Sequence, residues 1–383
     1  VLGLPASYLD PEVFYDDVPF LKDAPFMTAL VANPNHIGCH TLNESETAFR
    51  GTHQIEKELI DLCSQQIFEG GEEEFDGYVA SGGTEANIQA MWILKNYYIT
   101  EFGAKQQEIA LVYSEDAHYS MPKGAALLGL HKVVLSVDDE TRQIKEESVR
   151  NQISKAQKSG VKYFIVVANM STTMFGSVDN IDQLTAWLDD LSIEYKVHVD
   201  GAYGGYIYPF SCSHDRYTFK NPKINSFTLD GHKMLQSPYG TGIYLTRKGF
   251  MAYALTEEAN YVKGKDYTLV GSRSGANAIA VWMIMRTYGS DGWKAKIKSL
   301  LNKTSRLCAN LKDRGIEFYR NPDVNIVTIK ADYIPTHIAE KYLLVPDSHD
   351  SKPKWWKIVI MDHVKQGAID NFLADVDGFR QDS

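Results

Sequence analysis

A lysine that follows a short apolar run is the side chain around which the sequence can be interpreted. The run from Phe227 to Leu229 has the character of a strand, and Gly231, His232 and Lys233 come directly after it. A lysine amine can attack an aldehyde and hold it as an imine. A His-Lys pair is also a common surface feature, so this interpretation depends on whether other stretches supply what such a lysine needs.

A glycine-rich turn provides a candidate anion-binding site. Ser81, Gly82, Gly83 and Thr84 follow the strand candidate Gly77–Ala80 and open a helical stretch. Backbone N–H groups at a helix N-terminus attract anions, Gly83 permits close approach, and Thr84 adds a hydroxyl donor. The turn lacks both the P-loop lysine and the G-x-G-x-x-G spacing of a dinucleotide fold. A plain strand-to-helix turn with Thr84 as the N-cap is the alternative.

Three further polar residues follow other strand candidates. His118 could stack on a flat ring, since an imidazole has an apolar face. Asp200 suits a cationic ring nitrogen, and Ala202 is small enough to let a ring lie against the backbone. Thr172 could donate a hydrogen bond to a ring oxygen. The alternatives are a helix-capping or buried structural role for His118, a cap or metal ligand for Asp200, and an ordinary polar loop around Thr172.

Two more stretches have weaker indications. His198 should point to the opposite side of its strand from Val197 and Val199, so we interpret it as structural. Because no other His or acid lies close to Asp200 in the sequence, a metal site is not predicted. The segment Gly271–Gly275 precedes a helix and is either a second anion-binding nest or a flexible turn.

The elements that position these residues alternate between strand and helix from about residue 75 to 250. Several strand candidates are apolar on both faces, which is typical of parallel strands covered by helices on both sides. The alternation predicts an α/β fold with a mostly parallel, seven-stranded sheet. The candidates are Gly77–Ala80, Ile109–Tyr113, Lys132–Val137, Tyr163–Ala168, Lys196–Val199, Ser226–Leu229 and Gly242–Thr246.

The remaining chain predicts a smaller C-terminal α+β domain. A helix over Ala276–Tyr288 stops at Gly289, and a long amphipathic helix follows over Trp293–Arg314. Strands are expected at Ile326–Lys330 and Lys357–Met361, with further helices near 338–343 and 366–379. We therefore divide the 383 residues into an N-terminal arm (1–50), a large domain (51–288) and a small domain (289–383).

Composition narrows the function classes. The formal charge of −10 argues against a nucleic-acid surface, because phosphate binding requires clustered Lys and Arg. The four cysteines (Cys39, Cys63, Cys212 and Cys308) are widely spaced, so we expect neither a disulfide framework nor a zinc site, and a cytoplasmic location. The longest apolar run, Ala278–Met285, is too short to span a bilayer.

Ligands of parallel sheets bind at the carboxyl ends of the strands, where these motifs should gather. Together they supply an imine-forming lysine, a ring-stacking imidazole, an acid for a pyridinium nitrogen and a phosphate cup. These are the needs of pyridoxal 5'-phosphate. The acid keeps the ring nitrogen protonated, so that the ring can accept electrons from a bond broken at the substrate Cα.

The order and spacing of the motifs resemble the pyridoxal-phosphate-dependent group II amino-acid decarboxylases. The resemblance is strongest to compact members, namely the archaeal tyrosine/aspartate decarboxylases and the bacterial pyridoxal-dependent histidine decarboxylase. It covers most of the chain. It rests on Ser81–Asn87, Asp116–Ser120, His198–Ala202, His232–Met234 and Gly271–Gly275, with Phe49–Thr52 and Lys357–Val364 in addition.

This resemblance implies a fold-type I (aspartate aminotransferase-like) homodimer with the active site at the subunit interface. It also implies decarboxylation of an L-amino acid to an amine and carbon dioxide. By the matching positions, Lys233 is the Schiff-base lysine and Asp200 pairs with the pyridine nitrogen. His118 stacks on one face of the ring, and Ala202 lies against the other.

The same resemblance assigns the remaining contacts. Gly83, Thr84 and His232 contact the phosphate, together with Ser272 of the second subunit, and Thr172 matches a position near the ring hydroxyl. The part of the family's pattern that concerns proton transfer is less closely matched.

In the family a loop tyrosine protonates Cα after carbon dioxide leaves. Here the loop offers Tyr261 and Tyr267, and we favour Tyr261, with His118 as a second candidate. The chain departs from the family at Gly201, where Ala is usual, and at Asp230, where the members that act on aromatic amino acids have Asn. The second departure weakens the assignment of a phosphate contact at that position.

Two other functions fit the same cofactor motifs. A carbon–carbon lyase resembling sphingosine-phosphate lyase shares the Gly-Ser-Arg segment, and a non-catalytic regulatory domain that binds the cofactor is a remote alternative. Such regulators carry a basic DNA-binding module, which neither the charge nor any stretch of this sequence supplies. The sequence does not identify the substrate. The candidate contacts of the substrate are Asn35, His36, His40 and the loop near Tyr261.

Overall fold

The computed structural model describes residue 12 and residues 49–212, 217–254 and 265–382. Tyr261 and the substrate candidates Asn35, His36 and His40 lie outside these residues, as does most of the N-terminal arm. The site can therefore be built from the other predicted residues alone.

A seven-stranded sheet organises the larger part of the chain, and it contains all seven predicted strands with small shifts at their ends. Strand β7 runs antiparallel to both of its neighbours, and the other pairs are parallel. Six strands therefore direct their carboxyl ends toward one edge. The strands are β1 (Phe75–Ala80), β2 (Ile109–Ser114), β3 (His131–Leu135), β4 (Tyr163–Asn169), β5 (Glu194–Gly201), β6 (Ile224–Asp230) and β7 (Gly242–Arg247), in the spatial order β1-β7-β6-β5-β4-β2-β3.

Helices cover both faces of this sheet, which explains why its strands are apolar on both sides. In β2, Ala110 and Val112 pack into one core, whereas Leu111 and Tyr113 pack into another on the opposite face. The helices are α1 (Arg50–Asp61), α2 (Gly83–Phe102), α3 (Ser120–Leu128), α4 (Glu146–Lys158), α5 (Ile181–Asp190), the short α6 (Tyr208–Ser211) and α7 (Gly275–Asp313).

A second, four-stranded antiparallel sheet lies in the C-terminal part, with its own core around Ile329, Trp356 and Phe372. The predicted strand at Lys357–Met361 is found two residues earlier, as β11 (Trp355–Val359). The two-residue strands β8 (Phe318–Tyr319) and β10 (Val345–Pro346) were not predicted. The other elements are β9 (Ile326–Lys330), α8 (Thr336–Lys341) and α9 (Gln366–Asp382). None of the helices described is both long and apolar enough to cross a bilayer.

Helix α7 crosses the position at which we divide the two domains. Its backbone leaves the helical conformation at Gly289, with φ of 59° and ψ of −179°, as the predicted stop at this glycine requires. This region of backbone conformation is essentially restricted to glycine. Gly289 therefore turns one run of helix into two segments of different direction.

A substitution at Gly289 tests this break. Gly289→Ala should lower the free energy of unfolding by about 1–3 kcal/mol, because alanine is strained in that conformation. Gly292→Ala is the matched control, since a methyl group there would lie 3.6 Å from Tyr288 Cβ, in ordinary contact. It should change stability by no more than about 1 kcal/mol. Urea unfolding measures the stability of both variants. If Gly289→Ala were as stable as the wild type, a side chain at this position would cause no backbone strain.

Candidate active site

The carboxyl-end edge of the sheet contains a cavity of about 420 Å³. It is lined by the N-terminus of α2 and by residues that follow β2, β5 and β6. Motifs separated by up to 150 residues in the chain thus meet in one place. Six of the predicted site residues line the cavity, namely Gly83, Thr84, His118, Ala202, His232 and Lys233.

The amine of Lys233 is held by the carboxylate of Asp230, three residues earlier in the chain. Lys233 Nζ lies 3.0 Å from Asp230 Oδ2, and His232 Nε2 lies 3.6 Å from the same oxygen. Burial alone lowers the pKa of Lys233, but the carboxylates of Asp230 and Asp200 outweigh it and raise that pKa above the ordinary lysine value. The amine is therefore charged at neutral pH, and it must lose a proton before it can attack an aldehyde.

The N-terminus of α2 forms an open cup beside this amine. The N-cap is Gly82, which supplies no side-chain hydrogen bond, so Thr84 is not the N-cap of this helix. A Cβ at Gly83 would lie 2.7 Å from Asp230 Oδ2 and 3.1 Å from Ala202 Cβ. Glycine at this position keeps the cup open, and uncapped N–H groups at a helix start favour an anion.

Two polar side chains at other strand ends are held in fixed orientations. Asp200 accepts hydrogen bonds from Asn87 Nδ2 at 3.0 Å and from the backbone N–H of Ala202 at 3.1 Å. His118 Nδ1 accepts from the backbone N–H of Ser120 at 3.2 Å. Burial lowers the pKa of His118 although Asp200 acts in the opposite direction, so its imidazole is neutral at neutral pH.

Asp200, Thr172 and Ser272 are predicted site residues that do not line the cavity. Thr172 is buried, and its hydroxyl lies 2.7 Å from Ser177 Oγ rather than facing the cavity. Ser272 is exposed and does not line the cavity of its own chain. Its neighbour Arg273 forms a buried ion pair with Glu56 and donates to the Val79 carbonyl at 3.1 Å, which fastens this segment to β1.

Several residues of the site were missed by sequence reasoning. Asn87 and the exposed rings of Tyr119 and Tyr239 line the cavity. Asp230 contacts Lys233, whereas the sequence marks Asp230 only as a departure from the family pattern. A tyrosine in a loop carries no sequence signal of its own, so these two could be found only from the folded chain.

Lys357 is a buried lysine that sequence reasoning also missed. It is only 4% exposed, and its Nζ donates to the Thr173 carbonyl at 3.1 Å. Burial and the charge of Lys233 lower the pKa of Lys357 to about 8. No carboxylate pairs with it within the part of the chain that the structure describes. A lysine within the apolar run of β11 was the signal that could have drawn attention to it.

Comparison with known proteins now assigns the chain to a family. Residues 55–330 match the family described as the pyridoxal-dependent decarboxylase conserved domain. The chain belongs to the pyridoxal-dependent decarboxylases. It is 47% identical to tryptophan decarboxylase of Clostridium sporogenes, over 100% of this chain and 91% of the relative. It is 31% identical to a probable L-tyrosine/L-aspartate decarboxylase of Methanosarcina barkeri, over 86% and 84% of the two chains.

Solved structures of decarboxylases and lyases share this fold. Sphingosine-1-phosphate lyase of Burkholderia pseudomallei superposes with a TM-score of 0.79 at 19% identity, covering 99% of this chain and 85% of that one. L-methionine decarboxylase of Streptomyces sp. 590 gives a TM-score of 0.77 at 17% identity, with coverages of 98% and 90%. At these identities the likeness shows the fold alone. The predicted fold-type I architecture is confirmed.

The family membership confirms that the protein is an amino-acid decarboxylase that depends on pyridoxal phosphate. The residues present fit this cofactor. The cavity offers an amine at Lys233, an uncapped helix start at Gly83, and a buried His232 ring nitrogen, Nδ1, for which the described part of the chain supplies no hydrogen-bond partner. An aldehyde, a phosphate and a hydrogen-bond acceptor would satisfy these three groups.

Filling the cup at Gly83 tests this fit. Gly83→Ala should weaken the binding of pyridoxal phosphate about ten-fold or more, because the added methyl group overpacks a buried contact with Asp230. Gly82→Ala should weaken it much less, since a methyl group there meets only His232 Cε1, at 3.5 Å. Fluorescence titration of the cofactor-free protein with pyridoxal phosphate gives both dissociation constants. Equal losses in the two variants would contradict the assignment of the cup.

The charge of Lys357 gives a pH prediction. The pKa of Lys357 is about 8 in the folded chain, against about 10.4 for an unperturbed lysine. Between these values the unfolded chain binds more protons, so raising the pH should stabilise the fold. Relative to Lys357→Met, the wild type should gain about 2–3 kcal/mol of unfolding free energy across that interval. Lys354→Met, at an exposed lysine before β11, should behave as the wild type. Urea unfolding at several pH values measures the unfolding free energy of each protein. If this free energy changed with pH in the same way for the wild type and Lys357→Met, the predicted contribution of Lys357 would be ruled out.

Proposed function

We propose that the protein decarboxylates an aromatic L-amino acid to the corresponding amine and carbon dioxide, and that tryptophan is the first substrate to test. One observation carries the proposal. A single cavity groups Lys233 and His118 with the uncapped start of α2, and Asn87, which also lines it, donates to Asp200. The relative that is 47% identical over the full chain is named a tryptophan decarboxylase, which supports this choice of substrate.

In this proposal Lys233 would bond covalently to the cofactor aldehyde, Asp200 would pair with the pyridine nitrogen, and His118 and Ala202 would lie on the two faces of the ring. Gly83, Thr84 and His232 would contact the phosphate, together with Ser272 of a second copy of the chain. Thr172 would reach the ring hydroxyl only after its own hydroxyl turns away from Ser177. When bound, pyridoxal phosphate withdraws electrons from the substrate Cα, which lets the bond to the carboxylate break.

The side chains of the protein control charge and protons around that bond. Asp230 accepts from Lys233 at 3.0 Å, so it can stabilise the proton on this amine while the amine is not bonded to the cofactor. His118 is neutral, because burial lowers its pKa, and a neutral imidazole can stack on a cationic ring without repulsion. We assign the protonation of Cα to Tyr261, on the resemblance alone.

Aromatic surface at the rim of the cavity supports an aromatic substrate. Tyr119 is 62% exposed and Tyr239 is 65% exposed, and both line the cavity. Their rings lie 4.0 Å from the His118 ring and 5.2 Å from the His232 ring, between centroids. An indole could pack against such rings, and aromatic pairs contribute about 0.5–1.5 kcal/mol beyond the area they bury.

We further propose a homodimer in which each copy completes the site of the other. The exposed rim tyrosines and the exposed Ser272 support this, since large apolar side chains around a cavity favour a covering surface. Cys63, Cys212 and Cys308 are free thiols, which supports a reducing, cytoplasmic location.

Carbon dioxide release tests the function directly. The purified protein with added pyridoxal phosphate should release carbon dioxide and tryptamine from L-tryptophan, and less from other amino acids in a panel. Lys233→Ala should lose this activity at least a thousand-fold, because no other amine that could bond to the aldehyde is found among the described residues that line the cavity. Lys248→Ala, at an exposed lysine, is the matched control and should keep it.

The same assay separates the alternatives. An aldehyde product without carbon dioxide would favour a carbon–carbon lyase, and no turnover of any amino acid by the loaded protein would overturn the proposal. Release from another amino acid, with none from tryptophan, would keep the reaction and overturn the substrate.

A further inference from the structure

One buried amide connects the two polar residues that the proposed function places on the cofactor ring. Asn87 lies in the second turn of α2 and is 1% exposed. Its Nδ2 donates to Asp200 Oδ2 at 3.0 Å and to Ser120 Oγ at 3.1 Å. Its Oδ1 lies 3.0 Å from His198 Nε2. Three of the four hydrogen-bonding positions of its side chain are thus used, by partners on two other elements, β5 and α3.

The orientation of this amide can be worked out from its partners. An ionised carboxylate only accepts hydrogen bonds, so Asn87 must turn its nitrogen toward Asp200 and its oxygen toward His198. His198 Nε2 must then carry a proton. Burial lowers the pKa of His198 to about 4, so the ring is neutral at neutral pH and its Nδ1 has no proton. Nδ1 accordingly accepts from the Ser226 hydroxyl, at 2.8 Å.

The other branch of the network fixes His118. Ser120 Oγ accepts from Asn87, so its own hydrogen is free to point at His118 Nδ1, 2.9 Å away. The backbone N–H of Ser120 donates to the same nitrogen at 3.2 Å. With two donors at Nδ1, a neutral His118 carries its proton on Nε2.

We propose that Asn87 is a positioning residue that keeps Asp200 ionised and oriented, and that sets the direction of the hydrogen bonds leading through Ser120 to His118. The proposal rests on the proposed cofactor role of Asp200 and deepens it. A donor to a carboxylate stabilises its charged form. The charged or titratable groups that act on Asp200 from the surrounding elements are Lys233, His118 and His198.

The first test determines the protonation of the histidines of this network in the wild-type holoenzyme, and it does not depend on activity. Two-bond ¹H–¹⁵N spectra of protein labelled on its histidines report which ring nitrogen carries the proton. The resonances are assigned by comparison with His118→Gln and His198→Gln. We expect His198 and His118 both to be neutral at pH 7.5, each with the proton on Nε2. A proton on His198 Nδ1 would require the reversed amide and would overturn the proposal.

The second test is the pH dependence of pyridoxal phosphate binding. Binding should weaken as the pH falls, and the pH of half-maximal weakening is the acidic midpoint. In Asn87→Leu, Asp200 loses a donor, so this midpoint should move up by about one pH unit. In Asn87→Asp two carboxylates would lie about 3 Å apart and share a proton, so the midpoint should rise further. The wild-type spectra decide the question even if neither variant folds.

A control separates positioning from general stability. Gln89 is another fully buried amide of α2, and its Nε2 donates to the Tyr267 carbonyl at 2.8 Å, outside the cavity lining. Gln89→Leu should lower stability without moving the midpoint. An unchanged midpoint in Asn87→Leu would reduce Asn87 to a structural residue. If the network is as described but no carbon dioxide is released from any amino acid, the proposed function fails and this inference about hydrogen-bond direction stands.

Discussion

The pairing of the Lys233 amine with a buried carboxylate at one sheet edge is the interaction on which the site depends. Lys233 lies 3.0 Å from Asp230 and also feels the charge of Asp200. A buried ammonium without such a partner holds its proton less tightly, as the lowered pKa of Lys357 illustrates in the same molecule. The local balance of charge therefore sets how tightly each lysine holds its proton before the cofactor binds.

That balance requires the parallel sheet. Asp200 ends β5 and Asp230 ends β6, and these strands pair in parallel so that Asp200 lies opposite Thr228. The start of α2 comes to the same edge because β1 points in the same direction as β6, with β7 antiparallel between them. The close approach of the elements leaves no room for larger residues, since a Cβ on Gly242 would lie 2.4 Å from the Gly82 backbone.

The sequence was sufficient to predict the seven strands, because each combines an apolar run with a flanking turn. It also placed Lys233, Asp200 and His118 at one edge, since polar residues that follow parallel strands must meet there. The contacts among side chains could not be predicted in the same way. Asn87 is 113 residues from Asp200, and only the packing of α2 against β5 brings the two together.

Other features lacked any local signal. The two-residue strands β8 and β10 are too short for a period to appear, and they form only because β9 and β11 offer edges. The resemblance assigned Thr172 to the ring hydroxyl, yet the hydroxyl of Thr172 lies 2.7 Å from Ser177 in the fold. The family pattern thus predicts positions, whereas the directions of side chains require coordinates.

Lys233 is the amine that we propose bonds to pyridoxal phosphate, and the bond can be located directly. The purified protein is loaded with the cofactor, reduced with borohydride and digested, and the pyridoxyl group is located by mass spectrometry. We expect a single modified lysine, Lys233. A label on Lys357 instead, or no label at all with the cofactor present, would contradict the assignment of Lys233.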